Sequence, residues 1–327
     1  MLSRELDSRN YKYNPALLEQ FVDQVVALTE TDEWQKFLDF QRQFHRYSIG
    51  NVLLIRQQNP QASQVASMRK WNHMHRKVKA GSHGMKVWVP TPKKVVQVDS
   101  DGVEREAKKM YFKLGSVFDV SQTEGEPLPK PVRLLEQTAP LEALTNVAQL
   151  IQESGLSIDI VPGEELGTAN GVFIPDQKAI KIREGLSEGQ TLKTMIHELA
   201  HSRLHADLTE LPRAVAEIEA ESVAYLVCGQ TFGLDSSNYS LGYVAFWGEG
   251  GEVGKIELAD KVLKQAKRIT KTAQEIDKQL EERLTKFRES EQARQIEVAQ
   301  EVEMTHEMDP APEIEIEPAE PYMAMSR

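Results

Sequence analysis

The sequence feature that most restricts the fold is the stretch MIHELAHSRLH at residues 195–205. Residues four apart on an α-helix point to the same side, so His197 and His201 can turn ring nitrogens toward one ion. Glu198 projects about 100° around the helix from His197, where it can reach a water molecule beside the ion and take its proton. The spacing therefore predicts a helix that carries a Zn²⁺ site, with His197 and His201 as ligands and Glu198 as catalytic base.

The composition of this helix favours a metal site over an incidental polar stripe. Six apolar residues surround His197, Glu198 and His201 on this helix. They are Leu192, Met195, Ile196, Leu199, Ala200 and Leu204. Polar groups among apolar neighbours are costly unless they are hydrogen-bonded, paired or bound to a metal. Two interpretations stay open, a catalytic ion and a purely structural one, and Glu198 favours the catalytic one.

A catalytic zinc site needs a third protein ligand, and His205 is poorly placed to provide it. His205 lies eight residues beyond His197, which is about 12 Å of helix rise. No glycine between His201 and His205 could turn the chain back toward the ion. We therefore expect His205 to be an exposed residue near the end of the helix.

The stretch AVAEIEAESVAYLVC at residues 214–228 predicts a second helix, which offers three glutamates as the third ligand. Glu217 and Glu221 share one helical face and fit a solvated surface. Glu219 lies on the opposite side, within an apolar stripe, where an acid is costly unless it is paired or metal-bound. The third ligand is therefore predicted to be Glu219, with Glu221 as the alternative.

The charged residues are segregated along the chain. Residues 40–98 contain eleven Lys or Arg and no Asp or Glu, although the whole chain has a net charge of −11. Basic side chains interleaved with aromatic ones suit single-stranded nucleic acid, because cations follow the phosphates and rings stack on unpaired bases. The predicted DNA contacts are Arg46, Arg69, Lys70, Trp71, Arg76, Lys77, Lys79 and Lys86. A solvated basic face is the alternative. Trp71 fits base stacking and core packing equally well, whereas Trp88 is predicted to be a core residue.

Composition also limits the cellular setting. The chain is 40% hydrophobic and 27% charged, which is typical of globular proteins. It has no run of about 18 apolar residues, so we expect no membrane partner. Its first residues lack the apolar core of a secretory signal, and the single cysteine, Cys228, cannot form an internal disulfide. These features predict a cytoplasmic protein.

Apolar spacing and turn residues predict an α+β chain in five segments. Residues 1–125 form an N-terminal domain of helices and strands, followed by a linker at residues 126–140. Residues 141–256 form a second domain, in which the strand AIKIRE is a candidate sheet edge for an extended peptide. Residues 257–303 are one long helix, which packs back onto the second domain or forms a short coiled coil. Residues 304–327 are a disordered acidic tail.

Both halves of the chain resemble the ArdC-type antirestriction proteins of conjugative plasmids and integrative elements. The N-terminal half is similar to their single-stranded DNA-binding domain through RYSIGNVLLI, KVKAGSHGMKVWVP and YFKLGSVFDVSQTEG. The C-terminal half is similar to their zincin-like metallopeptidase domain through IREGLSEGQTLKTMIHELAHSRLH, EIEAESVAYLVCG and DSSNYSLGYVAFW. The resemblance covers roughly residues 5–275 and is specific, since two independent sets of words occur in the family's order.

The resemblance implies a protein of mobile DNA that binds the single strand during conjugation and protects it from host restriction. It implies zinc held by His197, His201 and the acid of the Glu-Ala-Glu-Ser word, with Glu198 as base and an unknown protein as substrate. Many family members continue the motif with Trp-Thr-Gly, whereas this chain reads SRL at residues 202–204, which suggests a divergent branch. Two alternatives stay open. One is a non-catalytic DNA-binding shield with a structural zinc, and the other is a regulatory metalloprotease that cleaves one repressor.

Overall fold

The computed structural model describes residues 4–6, 15–44, 46–98, 104–128, 140–206, 211–234 and 254–307. The chain forms two compact units, Met1–Glu281 and Glu282–Arg327. The first unit contains both halves of the predicted two-domain arrangement. The predicted linker at 126–140 lies mostly outside the described residues, and so does the predicted acidic tail beyond residue 307.

Three helices form the N-terminal part of the first unit: α1 (Pro15–Ala27), α2 (Thr31–Gln43) and α3 (Ile49–Gln58). Proline suits the first position of α1, because its missing N–H would have no helical partner there. Apolar residues at spacings of three and four give each helix a buried face, as with Phe21 and Val25 of α1 and Trp34 and Phe37 of α2. These faces pack together as the core of the N-terminal part.

A long antiparallel ribbon follows these helices. Its strands and one short helix are β1 (Val65–Ala66), α4 (Met68–His73), β2 (Arg76–Val78), β3 (Met85–Val98), β4 (Glu104–Asp119) and β5 (Thr123–Gly125). Strand β3 pairs with β4 along its whole length, and β1 pairs with the other side of β4. Strands β2 and β5 form a separate two-stranded sheet.

The C-terminal part is built on a small mixed sheet. One helix and three strands begin it: α5 (Pro140–Glu153), β6 (Ser157–Val161), β7 (Gly171–Ile174) and β8 (Ala179–Arg183). The sheet order is β6-β8-β7, with β6 parallel and β7 antiparallel to β8. The stretch AIKIRE is therefore the central strand and not the expected edge, because β8 exchanges backbone hydrogen bonds with a neighbour on both sides. Strands β6 and β7 are the two edges of this sheet in the described residues.

Three further helices complete the described chain: α6 (Glu188–Leu204), α7 (Arg213–Thr231) and α8 (Lys255–Glu307). Helix α6 packs against α5, α7 and the strands β7 and β8. In the part of α8 that belongs to the first unit, apolar residues at spacings of three and four are buried from Ala259 to Leu280. The segment therefore packs onto the rest of the first unit, where it contacts both halves and not the second domain alone. The helix ends at Glu307, four residues beyond the predicted end.

The two predicted domains pack directly on each other within the first unit. Helix α2 lies against α7, and the buried indole Nε1 of Trp34 donates to Ser222 Oγ at 3.0 Å. Helix α8 contacts both halves, since Lys267 pairs with Glu5 and Gln274 donates to the backbone oxygen of Tyr47. The predicted α+β class is confirmed. No helix among the described residues is long and apolar enough to cross a bilayer.

One buried acid of α8 gives the stability of the unit a predictable pH dependence. Burial raises the pKa of Asp277 to about 8, against a hydrogen bond from Thr231, which lowers it. An unfolded aspartate titrates near ~3.9, so the folded chain holds this proton more tightly than the unfolded chain does. The contribution of Asp277 to the free energy of unfolding is therefore full below pH ~4 and is lost as the pH rises toward ~8.

Asp277→Asn is expected to raise the free energy of unfolding at pH 8, because the amide keeps the shape of the protonated acid without the titration. At about 1.4 kcal/mol per pKa unit, the gain is at most about 5 kcal/mol. Urea unfolding at pH 5 and at pH 8 measures it, and the gain is expected to be larger at pH 8. The exposed Asp159→Asn is the control. Equal gains at both pH values for Asp277→Asn would contradict the prediction.

Candidate functional site

Helix α6 brings two histidine rings together. Ser187 caps the helix by accepting a hydrogen bond from the Gln190 N–H at 3.3 Å. His197 and His201 lie one turn apart, and their Nε2 atoms are 3.0 Å from each other. Two imidazole nitrogens at this distance need a proton or a cation between them, because their lone pairs would otherwise repel.

The third atom at this place is a carboxylate oxygen of Glu217 in α7. Its Oε2 lies 3.3 Å from His197 Nε2 and 3.6 Å from His201 Nε2. Ligands that are about 2.0–2.1 Å from a tetrahedral zinc ion lie about 3.3 Å from one another, so the three distances fit one such ion. Within the described residues, His197, His201 and Glu217 are the one group whose ligand atoms are spaced for a metal.

The predicted third ligand, Glu219, does not join this group. Its side chain is fully buried on another side of α7, where the carboxylate accepts hydrogen bonds from His205, Gln265 and Arg268. An acid within an apolar stripe has to be paired or metal-bound, and here it is paired. Helix α7 is covered on several sides, so its apolar stripe does not show which face meets α6. Glu217 takes the place at the histidines that the sequence assigned to Glu219.

The alternative third ligand, Glu221, contacts the other nitrogen of His197. Glu221 Oε2 lies 3.1 Å from His197 Nδ1, and Glu221 Oε1 pairs with Lys193. A carboxylate at Nδ1 holds a proton on that nitrogen, so Nε2, which faces Glu217 and His201, is the nitrogen available to a cation. Glu221 therefore orients His197 and does not lie beside its Nε2 atom.

His205 is not the exposed residue expected from the sequence. It caps the C-terminus of α6, yet its side chain is only 9% exposed and both ring nitrogens have partners. His205 Nδ1 lies 2.9 Å from His201 Nδ1, and His205 Nε2 lies 2.8 Å from Glu219 Oε2. His205 is also not one of the three grouped atoms, which agrees with the limit set by helix rise.

Glu198 lies in the position of the predicted base, on α6 between the two histidines. Its side chain is buried, and the backbone N–H of Phe173 in β7 donates to the carboxylate. Burial raises the pKa of Glu198, although His197 and His201 act to lower it. A carboxylate with a raised pKa is better matched to accepting a proton near neutral pH.

Strand β7 can lie this close to Glu198 because residue 171 is glycine. A Cβ atom on Gly171 would lie 2.6 Å from Thr194 Cγ2 and 3.1 Å from Glu198 Oε1. The first distance is shorter than Cβ atoms adopt and the second is unusually tight, so a larger residue would require the strand or these side chains to shift. The glycine thus brings the backbone of β7 next to the base.

Acidic neighbours dominate the electrostatics of the histidines. Burial lowers the pKa of His197, but hydrogen bonds to Glu217 and Glu221 outweigh burial and raise the pKa to about 9. Hydrogen bonds with His197 and His201 lower the pKa of Glu217. Carboxylates that favour a protonated imidazole also favour a metal cation at the same place. The side chains therefore fit a bound cation in charge as well as in distance.

The three grouped atoms face a cleft of about 620 Å³. The edge strand β7 lines this cleft together with Gln190 and Lys193 of α6 and Arg213 of α7. Because β7 is bonded to a neighbour on one side only in the described sheet, its other side has backbone groups that an extended peptide could pair with.

The predicted DNA contacts fall on a different part of the unit. Six of the basic residues are exposed: Arg46, Arg69, Lys70, Lys77, Lys79 and Lys86. Helix α4, which carries Arg69 and Lys70, packs against β2, which carries Lys77. The structure thus brings at least these three cations onto adjacent elements.

Residues 15–118 match the family model of the N-terminal domain of anti-restriction factor ArdC. Over these residues the chain is similar to the ArdC N-terminal domain. The match confirms the resemblance to ArdC-type proteins that the sequence words indicate. It includes α1 to α4 and most of the β3–β4 ribbon.

Similarity to one longer protein extends beyond the matched residues 15–118. The uncharacterized protein pXO2-81 of Bacillus anthracis is 28% identical over an alignment of 328 positions. The alignment covers 83% of this chain and 54% of that protein. The chain therefore spans about half the length of this curated relative.

Two crystal structures of the antirestriction ArdC protein from the R388 plasmid are also similar. The metal-free one has a TM-score of 0.43 at 18% identity and covers 73% of this chain and 85% of its own. The Mn(II)-bound one has a TM-score of 0.41 at 19% identity and covers 72% and 88%. These scores are too low to carry residue roles across.

Two of the predicted DNA contacts have structural roles in the segment that matches the ArdC N-terminal domain. Trp71 is 1% exposed, and its indole Nε1 donates to the backbone oxygen of Phe118 at 2.9 Å. A ring in this position cannot stack on a base, so core packing and not stacking is the role that fits. Arg76 is half-buried and donates to Thr123 and to the backbone of Gly125. Trp88 is 4% exposed, which confirms its predicted place in the core.

One sequence signal could have identified Glu217. The two histidines of α6 are four residues apart on one face, and Glu217 and Glu221 are four residues apart on one face of α7. Two packed helices with the same spacing of polar residues can align both pairs, and here His197 contacts both glutamates. The apolar stripe around Glu219 was the weaker signal, because helix α8 covers that side.

Proposed function

We propose that this chain is a zinc metallopeptidase joined to an ArdC N-terminal domain that binds single-stranded DNA, and that it acts in antirestriction. The observation that carries the enzymatic part is the spacing of His197 Nε2, His201 Nε2 and Glu217 Oε2 beside the buried carboxylate of Glu198. Three ligands and one carboxylate base are the groups that zinc-dependent peptide hydrolysis needs.

The chain's own residues divide the chemistry between them. His197, His201 and Glu217 hold the ion, which when bound supplies Lewis acidity to a peptide carbonyl. Glu198 accepts a proton from the attacking water and later delivers it to the departing amine. Its burial and raised pKa support this role, since a base must hold the proton between the two steps.

The substrate class that fits the cleft is an extended polypeptide. Strand β7 borders the cleft with a side that pairs with no other strand of the described sheet, and one backbone group of β7, the Phe173 N–H, donates to Glu198. A peptide added along this edge would place its own backbone near the base, and side chains alternating into the cleft would set preference.

Metal content is the first test of the enzymatic proposal. Wild-type protein is expected to purify with one zinc per chain, measured by elemental analysis, and Glu217→Ala is expected to lose it. Removing one of three ligands leaves a site that binds zinc weakly, because structural and catalytic zinc sites rely on the full set. The exposed Glu188→Ala keeps all three grouped atoms and the partners of both histidines and serves as the comparison. A folded wild type without zinc would contradict the proposal.

The exposed cations of the ArdC N-terminal domain support the DNA-binding part. The triple variant Arg69→Ala, Lys70→Ala, Lys77→Ala is expected to bind a thymidine oligonucleotide with a shallower salt dependence. Each lost phosphate contact lowers the slope of log K against log salt by about 0.7 for a single strand, so the change is about 2 for three contacts. Fluorescence anisotropy over a range of KCl concentrations measures this slope.

The matched control for this triple variant removes three exposed lysines of α8 (Lys261, Lys264 and Lys271) and so changes the net charge equally. Its slope is expected to stay at the wild-type value. If the two triple variants change the slope by the same amount, binding depends on net charge and the proposed surface is not the DNA contact.

A further inference from the structure

We propose that His205 and Glu219 are positioning residues for the metal ligand His201, and that helix α8 holds them in place. In this arrangement Glu219 fixes the tautomer of His205, and His205 fixes the tautomer of His201, so that the His201 Nε2 lone pair faces the ion. The inference rests on the proposed metal site and adds residues outside the three grouped ligands; two of them, Gln265 and Arg268, lie beyond the predicted second domain, residues 141–256.

The donors and acceptors of Glu219, His205 and His201 support this assignment. An ionised carboxylate only accepts, so the 2.8 Å contact of Glu219 Oε2 requires the proton on His205 Nε2. When this is the only ring proton of His205, its Nδ1 has a lone pair and accepts across the 2.9 Å contact with His201 Nδ1. His201 must therefore carry its proton on Nδ1. Its Nε2 atom is left with the lone pair, at 3.0 Å from His197 Nε2.

Two side chains of α8 hold the carboxylate of Glu219 in place. Glu219 has no exposed surface, Gln265 Nε2 donates to its Oε1 at 2.8 Å, and Arg268 pairs with its Oε2. Gln265 and Arg268 each contact one oxygen of the carboxylate, so its position beside His205 is fixed from both sides. With His205 also shielded from solvent, water cannot easily replace either contact.

The two ligand histidines are thus supported in parallel ways. His197 Nδ1 contacts the carboxylate of Glu221 directly, whereas His201 Nδ1 reaches the carboxylate of Glu219 through the ring of His205. Partners of this kind orient a ligating imidazole and raise its basicity, and their loss typically weakens metal binding by about 10–100-fold.

The test compares zinc affinity among full-length variants by competition with a chromophoric chelator. His205→Leu has no acceptor for His201 Nδ1 and is expected to bind Zn²⁺ about 10–100-fold more weakly than wild type. His205→Asn places an amide oxygen near the former Nδ1 position and is expected to recover part of this loss. Glu219→Gln removes the charge behind His205 and is expected to show a smaller loss than His205→Leu.

Glu5→Gln is the matched control. Glu5 is also a buried glutamate paired to α8, through Lys267, but it does not contact the histidines. It is expected to lower stability and to keep the wild-type zinc affinity. If His205→Leu also keeps that affinity while Glu217→Ala loses zinc, the positioning role is overturned and the metal site stands. If wild type itself binds no zinc, the proposed enzymatic function fails first.

A spectroscopic measurement on the wild-type protein does not depend on the folding of any variant. In the zinc-loaded protein with ¹⁵N-labelled histidine, His201 is expected to carry a slowly exchanging Nδ1–H. A scalar coupling through the hydrogen bond should join the two Nδ1 atoms of His201 and His205. A His201 Nδ1–H that exchanges freely with water and shows no such coupling would overturn the inference.

Discussion

Glu198→Gln is expected to lower the rate of peptide hydrolysis by about 10²–10⁴-fold, the range typical for loss of a general base. Glutamine has nearly the same shape but cannot accept the proton from water. Because Glu198 is not among the three grouped atoms, zinc content and oligonucleotide binding are expected to stay at wild-type levels. The rate is measured with a mixed peptide library and mass spectrometry, with wild type and variant at equal zinc content.

Glu188→Gln makes the same chemical change on the first turn of the same helix, at an exposed position, and is expected to leave the rate unchanged. The Glu198 variant also separates the enzymatic function from a DNA-binding shield. If Glu198→Gln still protects transferred DNA from restriction in cells, catalysis is not needed for protection. If wild type and Glu198→Gln hydrolyse the library equally, Glu198 is not the base.

Trp34→Ala is expected to lower the free energy of unfolding by about 3–5 kcal/mol, the usual cost of removing a large aromatic side chain from a core. Trp34 is a residue of α2 with no exposed surface. Its side chain faces α7, where the indole donates to the buried hydroxyl of Ser222. The variant leaves both a cavity and an unpaired hydroxyl. Urea unfolding measures the change, and hydrogen exchange locates it.

Hydrogen exchange also tests the predicted boundary between two domains. Since α2 and α7 pack within one compact unit, Trp34→Ala is expected to speed exchange in both helices together. Exchange that rises in α2 alone would show that the halves unfold separately, as separate domains would. Met68→Ala, at an exposed position, is the control and is expected to change stability by less than about 0.5 kcal/mol.

The helices were the most predictable part of the fold, because their signals are local. Pro15, Thr31 and Ser48 mark the starts of α1 to α3, and Ser187 caps α6 as its sequence indicates. The short strand β7 was not predicted, although it forms the edge beside Glu198. A strand of four residues is too short to show a clear periodicity. Gly171, which lets β7 approach α6, indicates only a turn or a weak strand position when the sequence is considered alone.

The sequence by itself determined that His197, Glu198 and His201 share one helix, and that a basic segment precedes them, since both follow from spacing along the chain. Tertiary structure alone decided which acid of α7 meets the histidines, because faces of α7 are buried both toward α6 and toward α8. Tertiary structure likewise decided that Trp71 is a core residue and that His205 contacts His201. In each case the deciding contact comes from a segment distant in sequence: Phe118 for Trp71, and Arg268 for the carboxylate behind His205.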